Sequence, residues 1–281
     1  HEQSADIARG VDDGGAGEFY WDAAGSKTEH NGGTVIDPDK TFPTDWANAS
    51  QRQAWYTPAV SGVGVWKRVI GDYISLKWFG AVGDFTQDDQ EAVDAFIATW
   101  IPDDIRGYVP TGRYKCSGQI LFDITLNPNR RLPELFGDGC YSSKFYSEST
   151  TSPAIHFYGS SAGPDHFQAK LNRVGFETNT PYVGTAIGLS DFSDNHGNYE
   201  VDQCFFVNYD DSGSVASVGL QLNWLFDCHF VNNVILGYPM QGIALEMRRC
   251  HFCQFDGGSY SNAYYAMYIK DGGSYNVTFN T

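Results

Sequence analysis

The sequence lacks long apolar runs and is short of basic residues. No stretch reaches the roughly 18 apolar residues that a membrane-spanning helix needs. Lys and Arg number 18 against 34 Asp and Glu, and the formal net charge is −16. The patches of positive charge that nucleic-acid phosphates require are also missing. We therefore expect neither membrane insertion nor nucleic-acid binding.

Motifs for metals and nucleotides are also missing. Cys250 and Cys253 form a CxxC pair, but no second CxxC or HxxxH accompanies it, so a zinc site is not expected. The Gly-Gly pairs lack the strand-to-helix setting of a nucleotide-binding loop. We predict no metal and no cofactor.

Aromatic residues and glycine are plentiful instead. Aromatic side chains make up 15% of the chain, and there are 31 glycines. This mixture favours an all-β fold, because aromatic residues suit strands and glycine suits tight turns. Residues 1–72 form a first β-rich zone, in which the segments 32–36 and 63–69 have the pattern of strands.

Residues 73–115 contain the one predicted helix. Val93, Phe96, Ile97 and Trp100 recur at the spacing of one helical face. We expect Thr86 to cap the start of this helix and Pro102 to end it. An amphipathic helix in a β-rich chain can cover the open end of a stack of strands.

From residue 116 to residue 281 a repeat sets the pattern. One series of short alternating segments has its apolar positions at Ile155, Ile187, Leu220, Ile243 and Met267. A second series, out of phase with the first, is marked by Val174, Cys204, Cys228, Cys250 and Val277. Two short strands per turn of roughly 22 to 33 residues predict a parallel β-solenoid. Cys204, Cys228 and Cys250 are expected to stack on successive rungs as buried, reduced thiols.

Two segments resemble pectate-lyase-like β-helix proteins. Residues 76–84, followed by Asp88-Asp89 and Ala92, resemble the motif at which the β-helix of that family begins. Residues 109–114 resemble the turn that starts its first rung. Phe85 departs from the family, which usually carries glycine at that place.

The segments 14–22, 32–36 and 66–69 resemble the region that precedes the β-helix in phage tailspikes and capsule depolymerases. The resemblance implies right-handed parallel β-helices in a homotrimer, with carbohydrate bound on the faces or between subunits. It also implies a virion protein that acts at the bacterial cell surface. Its first segment would attach to the phage tail, the baseplate or another spike. Because the repeat stops within a strand pattern at Asn280-Thr281, we expect further rungs C-terminal to this chain.

Outward positions on neighbouring rungs form a grid of side chains. Asp227, His229, Arg249 and His251 are predicted to lie on two adjacent rungs of one face. Cleavage of a glycan by elimination needs a base and a cation, which His229 or His251 and Arg249 could supply. Hydrolysis needs two carboxylates, and Glu246 and Asp227 are the candidates, although we expect them on different sheets of the coil. The candidate substrate-binding residues are Trp224, Tyr268 and Lys270.

Three functions remain open at this stage. The first is a tailspike that binds and depolymerises a capsule, exopolysaccharide or O-antigen, by a lyase or a hydrolase reaction. The second is a non-catalytic virion segment that anchors a spike whose active rungs lie further along. The third is a bacterial glycan-active β-helix enzyme.

Overall fold

A computed structural model of the chain describes residues 3–5, 14–129, 131–151, 153–159, 167–179, 185–191, 197–208, 218–223, 225, 227–236, 243–261, 265–270 and 277–280. Two kinds of β-sheet are present, one antiparallel at the start of the chain and three parallel after it. Among the described residues, no helix is long and apolar enough to cross a membrane.

The antiparallel sheet occupies the N-terminal zone. Its strands are β1 (Gln3–Ala5), β2 (Gly17–Ser26), β3 (Val35–Ile36) and β4 (Val63–Arg68), in the order β1-β2-β4-β3. A 3-10 turn (Lys27–Glu29) follows β2, and helix α1 (Ala49–Tyr56) lies between β3 and β4. The Asn48 side chain caps α1 by accepting hydrogen bonds from two backbone N–H groups. Helix α1 was not predicted, because its two turns are too short for an apolar period to stand out in the sequence.

Three parallel sheets form the sides of a β-helix, which we call faces 1, 2 and 3. Face 1 contains β5 (Tyr73–Ser75), β7 (Arg106–Val109), β10 (Arg131–Gly137), β13 (Phe167–Asn172), β16 (Gly197–Asp202), β19 (His229–Val231), β22 (Gln254–Asp256) and β25 (Thr278–Asn280). Face 2 contains β6 (Asp84–Asp88), β8 (Gly112–Cys116), β11 (Ser143–Ser147), β14 (Gly175–Thr178), β17 (Phe205–Asn208), β20 (Val234–Leu236) and β23 (Ser259–Ser261). Face 3 contains β9 (Ile120–Asp123), β12 (Ile155–Gly159), β15 (Thr185–Asp191), β18 (Val218–Asn223), β21 (Ile243–Arg248) and β24 (Tyr265–Lys270).

The predicted fold class, an all-β chain built on a parallel β-helix, is confirmed. The prediction of two strands per turn is wrong, since each complete turn has three. Faces 1 and 2 are joined by corners as short as the two residues Arg173 and Val174, so that two strands look like one segment in the sequence. Arg173 makes this corner possible by adopting a φ of 58°, a left-handed conformation that bends the chain sharply.

The interior of the β-helix is filled by aromatic side chains stacked from rung to rung. The Phe122 and Phe157 rings lie 4.4 Å apart and nearly parallel. Phe230 and Phe255 repeat the arrangement at 4.7 Å. Parallel pairing without a shift of register puts equivalent side chains about one strand spacing apart, so a buried ring on one rung predicts a ring or an aliphatic group on the next.

Helix α2 (Gln90–Asp103) covers the N-terminal end of this interior. All four residues of its predicted apolar face, including Trp100, are buried. Two details of the prediction are wrong. Thr86 lies in β6, and the N-cap is Asp89, whose carboxylate instead accepts hydrogen bonds from the N–H groups of Val82 and Gly83. Pro102 lies inside the last turn, which ends at Asp103.

Four of the cysteines, Cys204, Cys228, Cys250 and Cys253, lie at corners of the β-helix. Their positions differ from the predicted stack. Backbone hydrogen bonds place Cys204 above Val174 at the corner between faces 1 and 2. Cys228 lies at the other corner, between faces 3 and 1, and its partner on the next rung is Cys253 (Gln254 N–H to Cys228 C=O, 2.8 Å). Cys250 lies three residues earlier than this stack. All four thiols are buried and unbridged, as predicted.

Face 3 has the predicted strands but a different register at one rung. Ile155, Ile187 and Leu220 are aligned as expected, whereas the next partner of Leu220 is Leu245 and not Ile243. The slip is two residues, so inward positions stay inward. It nevertheless changes which outward side chains are neighbours.

Arg68 joins the antiparallel sheet to the β-helix. Its guanidinium is buried between the rings of Phe19 and Trp78, 4.6 Å from each ring centroid. Its N–H groups donate to three backbone carbonyls, those of Gly15, Ala16 and Gly33. Burial lowers the pKa of Arg68 to about 10, which still leaves it charged at neutral pH.

Replacement of Arg68 is expected to loosen this junction. Arg68→Met leaves three carbonyls without their donor, and we expect a loss of roughly 3 kcal/mol in the free energy of unfolding. Arg68→Lys should recover only part of the loss, because an ammonium cannot reach three carbonyls and span two rings. Urea denaturation of the three proteins measures this. Equal stability of the Lys variant and the wild type would contradict the assignment.

His156, on the outward side of face 3, makes stability depend on pH. Burial lowers the pKa of this histidine to about 4, against about 6.5 in an unfolded chain. The free energy of unfolding has its full value above pH 6.5 and falls as the pH decreases towards 4. The total loss across this window is about 3 kcal/mol. His156→Gln should flatten the dependence of unfolding free energy on pH over this window. A slope as steep as that of the wild type would show that other groups cause it.

Candidate functional site

A column of six polar side chains, four of them charged, runs along the outside of face 1. Because side chains alternate along a strand, one outward position per strand falls into the column. Its members are Arg106, Glu134, Lys170, Glu200, His229 and Gln254, joined by strand register and ion pairs. We call it the charged column. Its first four members alternate in sign.

The N-terminal half of the charged column borders a groove of about 340 Å³. Arg106 Nε lies 2.7 Å from Glu134 Oε2, and Lys170 Nζ lies 3.4 Å from Glu200 Oε2. Arg131 adds a third pair with Asp104, and this arginine holds the pKa of Asp104 below its ordinary range. Three cations and three carboxylates make the groove locally neutral in a strongly acidic protein. Such a surface can donate and accept hydrogen bonds to a neutral polar ligand.

An aromatic strip lies beside the groove on the same face. The Tyr108 ring stacks on Phe136 at 5.0 Å and meets Tyr73 edge-on at 5.1 Å. The guanidinium of Arg106 lies 4.3 Å from the Phe136 ring centroid and links the strip to the charged column. Partial burial, and the hydrogen bond that its hydroxyl donates to Asp138, raise the pKa of Tyr108 to about 12. Its hydroxyl therefore remains a donor at neutral pH.

The other end of the charged column holds a histidine–carboxylate pair. His229 Nε2 lies 2.6 Å from Asp256 Oδ2. Asp256 also accepts hydrogen bonds from Gln254 and Asn280. The hydrogen bond with His229 holds the pKa of Asp256 below its ordinary range. With its side chain 48% exposed, His229 can reach a ligand on face 1 while Asp256 fixes the orientation of its ring.

The predicted patch of four residues is only partly assembled. Asp227 N–H donates to the His251 carbonyl at 3.1 Å, so these two residues meet at the corner between faces 3 and 1. His251 does not share a column with His229, whose partner on the next rung is Gln254. Arg249 also lies in the corner, with a φ of 53°. The predicted alignment is therefore wrong by three residues.

A repeated tripeptide accounts for the wrong alignment of His229 with His251. The sequence Cys228-His229-Phe230 recurs as Cys250-His251-Phe252. The rung instead aligns the first tripeptide with residues 253–255, because Asp227 and Phe252 are both left-handed and make equivalent bends. The corner before β22 therefore holds the second His-Phe pair, and the strand begins after it.

Glu246 lies on face 3, away from the charged column. Its carboxylate is buried and accepts hydrogen bonds from Gln221 at 2.7 Å and from Arg248 at 2.5 Å. The register places it between Gln221 and Tyr268. Glu246 thus lies within face 3 and Asp227 at the corner between faces 3 and 1, so the two carboxylates do not share one face.

Two of the three predicted substrate-binding residues, Tyr268 and Lys270, lie on one strand of face 3. Tyr268 is partly exposed on β24 of face 3. Lys270 ends the same strand, and its side chain lies outside the described residues, as does the whole of Trp224. The charged column, apart from His229, was missed by the sequence analysis. Its signal was present as Arg106, Glu134, Lys170 and Glu200, one outward charge in each of four successive face 1 strands. This pattern can be recognised only after the boundaries of the strands are known.

Comparison with known proteins supports the resemblance found in the sequence. Residues 5–71 match the family described as the phage tail protein small four-stranded β-sheet domain, and the structure has a four-stranded sheet there. The predicted resemblance of the first segment to phage tail proteins is confirmed. No curated protein matches the chain.

Several solved structures are similar to this chain at low sequence identity. Tailspike protein 2 from Escherichia coli O157:H7 bacteriophage CAB120 is 16% identical, with a TM-score of 0.49, over 88% of this chain and 32% of that one. The tailspike protein of Acinetobacter baumannii phage AM24 is 13% identical, with a TM-score of 0.32, over 95% and 60%. WceF of Pantoea stewartii, a glycan biofilm modifying enzyme with a tailspike-like parallel β-helix, is 14% identical, with a TM-score of 0.35, over 92% and 44%. This chain spans about a third of the length of the first.

Proposed function

We propose that the chain is part of a homotrimeric phage tailspike that recognises a bacterial surface polysaccharide along face 1. The observation that carries the proposal is the groove beside the aromatic strip. It offers hydrogen-bonding groups of both kinds next to partly exposed aromatic side chains, the two features that a sugar chain requires. The N-terminal sheet would attach the spike to the phage tail and leave face 1 free to meet the cell surface.

Recognition suits the groove better than catalysis does. A glycosidase needs one protonated carboxyl group as an acid, whereas Asp104, Glu134 and Glu200 each lie in an ion pair. A neighbouring cation favours the ionised form. These carboxylates are therefore suited to accept hydrogen bonds from sugar hydroxyls.

The prediction for recognition concerns Glu200, the most exposed carboxylate of the groove. Glu200→Gln weakens its acceptor and breaks the pair with Lys170, so affinity for the host polysaccharide should fall about tenfold. Glu148→Gln, a change of the same kind in a pair with Lys115 beyond face 2, is the matched control. Binding to purified polysaccharides from a panel of bacterial strains measures the effect. Equal losses of affinity in both variants would contradict the proposal that face 1 is the binding surface.

Cleavage of the polysaccharide by the full-length spike is a second proposal, favoured by the His229–Asp256 pair. An exposed imidazole oriented by a carboxylate is suited to act as a general base. For elimination it would take the proton next to a uronic acid carboxylate, and Arg249 is the candidate cation for that carboxylate. Hydrolysis would need a pair of carboxylates, for which Asp227 and Glu246 were the sequence candidates.

The prediction for cleavage separates the two histidines. His229→Gln should lower the turnover number by about 10²-fold or more, while His251→Gln should leave it near that of the wild type. Reducing ends and the ultraviolet absorbance of an unsaturated product are followed together, since elimination gives both and hydrolysis gives only the first. A larger loss in the His251 variant would indicate that His251, at the corner, is the general base. Cleavage that survives both changes would exclude these histidines.

A further inference from the structure

A cluster of three thiols lies inside the β-helix at the corner between faces 3 and 1. Its members are Cys228, Cys250 and Cys253, each at most 2% exposed and none of them bridged. The proposed binding surface on face 1 does not involve them. A single buried cysteine acts as a small apolar residue, whereas neighbouring thiols can also react with one another.

Two of these cysteines are direct neighbours on consecutive rungs. His229 pairs with Gln254 in the parallel sheet of face 1, so the residues before them, Cys228 and Cys253, lie one above the other. The Gln254 N–H donates to the Cys228 carbonyl at 2.8 Å. Equivalent residues of neighbouring strands are about 4.8 Å apart. This spacing falls within the range of Cα separations that a disulfide spans, about 4.4–6.8 Å.

The backbone gives both cysteines the same orientation. Asp227 precedes Cys228 with a φ of 52°, and Phe252 precedes Cys253 with a φ of 53°. Because the two bends are equivalent, the two side chains enter the interior side by side. The N–H of Tyr199, on the preceding rung, donates to Cys228 Sγ at 3.3 Å and holds this sulfur in place.

Cys253 is the central thiol of the cluster. Hydrogen bonds join its sulfur to the sulfurs of Cys228 and Cys250, and they lower the pKa of Cys253 against the opposing effect of burial. Burial and the bond with Cys253 instead raise the pKa of Cys228. The thiolate is the form that reacts with an oxidant. Cys253 is therefore the thiol that reacts first, and Cys228 lies beside it as the second.

Cys250 is a poorer partner for Cys253 than Cys228 is. It lies three residues earlier in the same corner, and its thiol donates towards the carbonyls of Leu222 and Arg248 at 3.6 and 3.5 Å. A disulfide at Cys250 would remove the proton that these contacts need. The sulfur of Cys228 instead accepts a hydrogen bond, a role that a disulfide sulfur can keep.

We propose that hydrogen peroxide oxidises this corner and joins Cys253 to Cys228 in a disulfide that ties two consecutive rungs together. The Cys253 thiolate attacks one peroxide oxygen, the O–O bond breaks, and a sulfenic acid forms as hydroxide leaves and takes up a proton. The Cys228 thiol then attacks the same sulfur, the S–O bond breaks, and water leaves with the thiol proton. Two thiols are thus oxidised to one disulfide while one peroxide is reduced to two water molecules.

The setting of this reaction rests on the proposed function, although the chemistry does not. Cytosolic thiols are kept reduced by the cell, and this protection ends outside it. A tailspike is made inside one bacterium and works on the surface of another. The corner would therefore be reduced while the β-helix folds and open to oxidation afterwards. Hydrogen peroxide suits a buried corner because it is little larger than water.

The test maps the disulfide in the whole protein. The chain is reduced with dithiothreitol, freed of it and treated with hydrogen peroxide, and the remaining thiols are alkylated in denaturant before digestion with trypsin. Trypsin cuts after Arg248 and Arg249. A disulfide between Cys228 and Cys253 therefore links two peptides, whereas one between Cys250 and Cys253 stays within one peptide. We expect mass spectrometry to show the linked pair.

Two alanine variants identify the partners, and thermal unfolding measures the effect. Cys250→Ala should still form the link, and Cys253→Ala should not. Oxidation of the wild type should raise the midpoint of thermal unfolding by about 5 °C, because the link restricts the unfolded chain, and dithiothreitol should reverse the rise. Each variant is compared in its oxidised and reduced forms, so a lower starting stability does not affect the result.

Three outcomes would overturn the proposal. They are a disulfide between Cys250 and Cys253, a wild type whose three corner thiols all remain open to alkylation after peroxide treatment, and a link from Cys228 to Cys253 that leaves the thermal midpoint unchanged. None of these results depends on a polysaccharide. Loss of the proposed function would show as absent binding to the strain panel, with the disulfide still formed.

Discussion

Hydrogen bonds between neighbouring rungs determine where every outward side chain of this protein lies. Each strand pairs in parallel with the equivalent strand one turn away, so a residue and its partner are about one strand spacing apart. The corners decide which residues are partners. A bend at Asp227 matches a bend at Phe252, and this single equivalence aligns His229 with Gln254. The charged column and the aromatic strip both depend on register of this kind.

The start of the β-helix depends on two buried charged groups. Asp89 binds the backbone of the turn before β6 while it begins helix α2, and Arg68 binds three carbonyls of the N-terminal zone while it packs on Trp78. Both groups satisfy backbone atoms that strand pairing leaves unmatched, which is the condition for burying them. The antiparallel sheet and the β-helix are thereby joined through polar contacts in an apolar surrounding.

The two outer faces differ in how their charged side chains are paired. On face 1 each cation of the groove has a carboxylate partner, and the surface is neutral and rich in hydrogen-bonding groups. On face 2 two cations share the carboxylate of Glu177.

The sequence by itself determined the solenoid, the helix that closes it and the phage-tail resemblance of the first segment. Alternation and helical spacing are local patterns, and burial of Val93, Phe96, Ile97 and Trp100 follows from them. The sequence also identified His229 but not its partner. Only the tertiary structure decided the number of strands per turn, the alignment of His229 with Gln254, and the meeting of Phe85 with Arg113. These depend on corner geometry and on contacts between residues far apart in the chain, which no local pattern records.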